Sequence, residues 1–100
     1  LYILDEVVTG FGRLRHFFSA EPVWGIIPDI ITTAKGITSG YQPMGAVIIS
    51  DRLFEQISGS NAPETAYFTN GYTYSGHPVA CAAALKNIEI MQRDNICEQV

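Results

Sequence analysis

Two short apolar runs, each cut off by charge, constrain this chain more than any other feature. The first is Leu1-Tyr2-Ile3-Leu4, which stops at Asp5-Glu6. The second is Ile30-Ile31-Thr32-Thr33-Ala34, which stops at Lys35-Gly36. Continuous apolar or β-branched runs of this length mark strands covered on both faces, as in the parallel sheets of α/β proteins. The interval from Glu6 to Asp29 exceeds the dozen or so residues that a parallel crossover needs. If the two strands run parallel, Asp5 and Lys35 share one edge of the sheet, on strands about 5 Å apart. Open α/β sheets bind their ligands at that edge. An ammonium held at the tip of a buried strand is desolvated, and desolvated lysines act as nucleophiles toward carbonyls.

The rest of the chain fits around these strands. Arg13 to Glu21 reads as loop, and Glu21-Pro22 and Ile27-Pro28 disfavour helix before each proline. Gly45 to Ser50 reads as a third strand. Its connection from Lys35 contains Gly36, Gly40 and Pro43, shows no helical period and is too short for a crossover helix. The third strand is therefore predicted to run antiparallel to the second. Asp51 is a cap for a short helix through Ile57, with Leu53, Phe54 and Ile57 on one face. Ser58 to Glu64 has the composition of a surface loop. Thr65 to Ser75 is aromatic and polar, with Tyr67, Phe68, Tyr72 and Tyr74. Gly76-His77-Pro78 opens a helix with proline in its first turn. Cys81, Ala84, Leu85, Ile88 and Met91 form its apolar stripe, with Lys86, Glu89 and Arg93 opposite.

Composition enters as a bound on function. The 100 residues are 47% hydrophobic and 16% charged, a core-rich mix for a chain with so much surface to solvate. The chain opens inside a strand and stops at Ile96 to Val100 without a turn signal. It is expected to be the interior slice of a larger domain, not stable or active alone. The net charge is −4, and Arg13 and Arg15 form the only basic grouping, which argues against nucleic acid. No apolar run approaches the ~20 residues of a membrane span, and no signal peptide is visible. Cys81 and Cys97 lack metal or redox spacing and read as reduced thiols in a cytoplasmic protein. His16 and His77 have no partners at ligand spacing, so no metal site is expected. Gly10-x-Gly12 resembles the start of a dinucleotide loop but has Arg15 where a third glycine belongs. No Gly-x-Ser-x-Gly elbow is present.

Asp5 and Lys35 remain. A salt bridge between them is the plain reading, and a buried pair needs further compensation. A ligand between them supplies it. Pyridoxal phosphate (PLP) asks for a lysine to form a Schiff base and an acid for its pyridine nitrogen. Its phosphate asks for donors, and Asn70-Gly71-Tyr72-Thr73-Tyr74-Ser75-Gly76 offers hydroxyls and backbone N–H groups beside a helix start.

Four segments then match one family in the right order. Asp5-Glu6-Val7-Val8-Thr9-Gly10-Phe11-Gly12-Arg13, Pro28-Asp29-Ile30 through Ala34-Lys35-Gly36, Gly40-Tyr41-Gln42-Pro43-Met44-Gly45-Ala46 and Gly71-Tyr72-Thr73-Tyr74-Ser75-Gly76-His77-Pro78 resemble the class III aminotransferases. These are PLP enzymes of fold type I, and the likeness is strongest to omega-amino-acid and amine–pyruvate transaminases. It covers essentially the whole chain. It implies an α/β fold, a three-layer, mostly parallel sheet with one antiparallel strand, of which residues 1–100 form the central part. It implies that Lys35 is the Schiff-base lysine and proton carrier, that Asp5 keeps the pyridine nitrogen protonated, and that Val7 packs on the ring. Thr73 and the backbone at Tyr72 are implied to bind the phosphate across a homodimer or a dimer of dimers. The implied substrates are a small amine donor and a keto-acid acceptor. Three positions depart from common patterns of the family. Val8 stands where many members have Gln, which favours the amine–pyruvate subgroup; Arg15 stands where glycine is frequent, and Asn70 where histidine is. Two other readings stay open on these residues: an aminomutase or decarboxylase on the same scaffold, and a non-catalytic α/β binding module with a structural Asp5–Lys35 pair.

Overall fold

A computed structural model describes residues 1–100 except Asn61 and Tyr67. The Ser58–Glu64 loop and the aromatic Thr65–Ser75 stretch therefore have one position each, Asn61 and Tyr67, outside the described residues. A three-stranded sheet lies at the centre, in the order β1 (Ile3–Asp5), β2 (Ile30–Thr33), β3 (Ala46–Ile49). β1 and β2 are parallel, with Ile3 opposite Ile30 and Asp5 opposite Thr32. β3 runs antiparallel to β2, with Thr33 opposite Ala46. Both orientations are those expected from the lengths of the connections. The sheet here contains one parallel and one antiparallel pairing, so it is mixed and not mostly parallel within these residues.

Within these residues the first strand is not covered on both faces: Leu1 is 81% exposed and Ile3 60% exposed. β1 forms one edge of the three strands described. Helix packing lies where the chain leaves the sheet: α3 (Pro78–Arg93) sits against a single 3₁₀ turn, Lys35–Thr38, and against a second one, Ile96–Gln99. Neither 3₁₀ turn was predicted, because one turn carries no periodicity to read.

Two helices differ from expectation in detail. A five-residue helix, α1 (Ala20–Trp24), follows the Arg13–Ser19 loop and contains Pro22. Proline is tolerated there because a first-turn N–H has no intrahelical partner to lose. The cap of α2 (Asp51–Ile57) is Ser50, whose Oγ accepts from the Leu53 N–H at 3.4 Å; Asp51 lies in the first turn, where its charge suits the helix dipole. On α3 the buried residues are Ala80, Ala84 and Met91, with Cys81 and Ile88 half-buried. Leu85, assigned to the apolar stripe, is 69% exposed. Asn87 occupies the packed side instead, because the surface it meets is a turn with backbone carbonyls to satisfy. Among the described residues, no helix is long and apolar enough to cross a membrane.

Candidate active site

Chemistry at the sheet edge begins with Asp5 and Glu6, which point to opposite faces because side chains alternate along a strand. Asp5 is exposed, and its Oδ1 accepts from the Val7 N–H at 2.9 Å, turning the chain back as β1 ends. Glu6 is fully buried. Its Oε1 accepts from the backbone N–H groups of Ser19 at 2.6 Å and Ala20 at 2.9 Å. Its Oε2 accepts from Thr9 Oγ1 at 2.5 Å. One carboxylate thus closes the whole 6–19 loop and satisfies the first amides of α1. The Glu6 N–H extends the sheet ladder to Thr32 O at 2.8 Å, which fixes Asp5 beside β2. Sequence reading named Glu6 only as Asp5's neighbour. The available signal was strand alternation, which sends one of two adjacent carboxylates inward, where it must find donors.

Lys35 follows β2 after one intervening residue, Ala34, on the same edge as Asp5 because β1 and β2 are parallel. Within these residues Lys35 is exposed, not buried as its apolar run suggests. Its backbone is left-handed, with φ of 47°. A non-glycine residue pays for that conformation, and such strain persists only where the surroundings impose it. The surroundings here are tight. A Cβ on Gly36 would come within 2.7 Å of Phe11 Cβ, so position 36 excludes any side chain as the structure stands. Phe11 is itself wedged edge-on to Phe17 and Phe18, with centroids 6.1 and 5.5 Å away. Among the described residues, Asp5 and Lys35 form no ion pair with each other. The plain salt-bridge reading of these two residues is therefore not what the fold builds.

Val7, Val8, Phe11, Arg13, Lys35 and Gly36 line a cleft of about 290 Å³. The fold thus brings Val7 and Lys35 to one cleft, while Asp5 sits at the adjacent strand tip and not in the cleft wall. Tyr72 lies elsewhere, on a groove of about 430 Å³ with Gln42, Met44, Tyr74 and His77. Its N–H donates to Ser75 Oγ at 3.0 Å, closing a turn just before α3. Thr73 is exposed and lines neither cavity. Within one chain, then, the predicted phosphate donors do not meet the predicted lysine. Arg15, at a place where glycine is frequent in the family it resembles, has φ of 70° and donates its N–H to Gly12 O at 3.0 Å. The position demands a left-handed backbone, which is why glycine suits it. Asn70 is exposed.

Comparison with known proteins gives the family. Residues 1–100 match the family described as Aminotransferase class-III. The chain is 48% identical, over 99% of its length, to a β-alanine–pyruvate aminotransferase of Pseudomonas aeruginosa, and spans 22% of that protein. It superimposes with a TM-score of 0.85 on a transaminase from the marine bacterium Virgibacillus, at 46% identity, covering 98% of this chain and 21% of that one. A PLP-bound amine transaminase from an uncultivated Pseudomonas species gives 0.83 at 42% identity, covering 95% and 21%. The chain spans about a fifth of the length of the relatives it matches. It belongs to the class III aminotransferases.

Proposed function

We propose that the full-length protein is a PLP-dependent transaminase that moves an amino group from an amine or ω-amino acid to a keto acid such as pyruvate. Residues 1–100 are the central part of its large cofactor domain, an α/β unit with a three-layer, mostly parallel sheet and one antiparallel strand. The observation that carries this reading is the parallel β1–β2 register, which sets a carboxylate and an amine at adjacent strand tips on one edge. The residues fit the cofactor. A primary amine and an apolar wall, Lys35 and Val7, share one cleft; a carboxylate lies on the neighbouring strand; and the bare Cα of Gly36 keeps the backbone close. When bound, PLP supplies an aldehyde for an amine to attack and a ring that withdraws electrons.

The chain's own residues divide the rest of the work. Lys35 would hold the cofactor through its Nζ amine and would carry the proton removed from the substrate carbon. Asp5 would keep the pyridine nitrogen protonated through its carboxylate. Val7 would give the cofactor an apolar wall that excludes water. Tyr72 and Thr73 serve the phosphate of the other subunit of a homodimer, or of a dimer of dimers. That arrangement is supported by Tyr72 lining a different groove from Lys35 and by Thr73 lining neither. The enzyme is cytoplasmic, and these 100 residues are inactive in isolation.

The test is the full-length protein mixed with an amine donor, PLP and pyruvate. Alanine should accumulate, and Lys35→Ala should abolish it. Undiminished alanine formation by the variant would contradict the assignment. An aminomutase or a decarboxylase would make no alanine from pyruvate.

A further inference from the structure

We infer that Asn87 is a positioning residue for the Lys35 amine, acting by clamping the turn that carries it onto α3. The inference rests on Lys35 being the cofactor lysine, as proposed above. Lys35 opens a 3₁₀ turn; its Gly36 carbonyl accepts from the Ser39 N–H at 3.1 Å and keeps a second lone pair for a further donor. Asn87 Nδ2 donates to Gly36 O at 2.8 Å and to Ile37 O at 3.1 Å. Its Oδ1 accepts from Ser39 Oγ at 2.6 Å. A single side-chain amide therefore donates to two carbonyls of the turn and accepts from the hydroxyl of its cap residue, Ser39. Asn87 does not touch Lys35's side chain. It holds the Gly36–Ile37 and Ile37–Thr38 peptide units, just beyond Lys35, whose own backbone has φ of 47°.

The other contacts of the turn cannot do this alone. Ile37 and Thr38 are buried, and Thr38 Oγ1 donates to Gln42 O at 2.6 Å, which anchors the exit of the turn. Gly36 against Phe11 fixes the opposite side by contact, without direction. Among the described residues, only Asn87 links the turn by directional bonds to the 16-residue helix α3. Asparagine is a modest helix former, so its place on the packed side of α3 is explained by these bonds and not by local propensity.

The test compares the full-length enzyme with Asn87→Ala and Asn87→Asp. Asp has the shape of Asn but sets a carboxylate oxygen against the Gly36 and Ile37 carbonyls. A role in packing alone predicts that Asp is tolerated better than Ala. A clamp made of donors predicts that Asp is at least as harmful. Two readouts are taken on folded protein: backbone hydrogen exchange of the Gly36–Tyr41 segment, and the rate at which added PLP becomes fixable to Lys35 by borohydride. Loss of two hydrogen bonds should speed exchange in that segment about tenfold and slow capture of PLP about tenfold. Exchange in β2 and β3 should stay unchanged. Per cofactor-bearing site, kcat should fall while KM for the amine stays within about twofold. Normal capture and exchange in both variants would overturn the inference while leaving the Lys35 reading intact. So would faster exchange throughout the protein with normal capture. Wild-type protein with no PLP fixable at Lys35 would overturn the reading on which the inference rests, and the inference with it.

Discussion

β2 has an aspartate just before it and a lysine just after it, and the two ends of this one strand treat charge in opposite ways. At the entry, Asp29 is consumed by its neighbours. Its carboxylate accepts from the Tyr2 N–H at 2.8 Å and from the Arg52 guanidinium. Its own N–H donates to Tyr2 O at 2.9 Å, so the residue staples β1 to β2. The Tyr2 amide, and after it the Arg52 guanidinium, hold the Asp29 carboxyl below the usual carboxylate range. At the exit, neighbours bond the backbone around Lys35 and leave its side chain exposed. Asn87 takes the Gly36 and Ile37 carbonyls, and the Gly40 N–H takes the Lys35 carbonyl at 3.2 Å. The second lysine of the chain, Lys86, makes the same contrast, since it is paired with Glu89 at 2.8 Å. Asp29 and Lys86 are bonded at their head groups, whereas Lys35, the lysine proposed for the cofactor, is held by its main chain.

Three substitutions in the full-length enzyme probe this contrast, in falling order of effect. Asp5→Asn removes the charge from the exit edge but keeps the shape and an acceptor for the Val7 N–H. It should retain some cofactor binding and lose most of the rate, as read from kcat and the absorbance of bound PLP. A kinetically silent Asp5→Asn would remove the pyridine-nitrogen role. Gly36→Ala forces a methyl into Phe11 and should destabilise the fold by about 1–3 kcal/mol, the usual range for overpacking, with activity falling as Lys35 shifts. Denaturant unfolding and kcat measured together check it. A neutral result would mean that Phe11 yields and that the exit is not held tightly. The smallest effect is expected at the entry. Because folding lowers the Asp29 pKa, the stability Asp29 contributes is present above its unfolded value near 4 and fades as pH falls through the lower folded value. Asp29→Asn should therefore melt earlier than wild type at neutral pH, with the gap closing in acid and kcat little changed. A gap that widened in acid would contradict the sign.

Much of this was legible in the sequence because it is local. Charge at the ends of two β-branched runs located the strand tips, and loop length gave both strand orientations. Proline after His77 located the start of α3. What was not legible depends on partners far along the chain. Burial of Glu6 depends on Ser19 and Ala20 arriving as donors, and their helix is too short to show a period. The packed face of α3 was assigned by hydrophobicity, which promoted Leu85 and passed over Asn87, since a turn with open carbonyls selects a donor. Lys35 was expected to be buried because it ends an apolar run. Strand composition reports what lies beside a residue in sequence, and the C-terminal edge of the sheet is open within these residues.

The central claim is that Lys35, and not Lys86, is the amine the fold holds ready for PLP. Borohydride reduction of the full-length protein loaded with PLP, followed by peptide mapping, tests it directly. The account predicts cofactor mass on the peptide containing Lys35 and none on the peptide containing Lys86. Cofactor mass on Lys86, or on neither lysine, would contradict it.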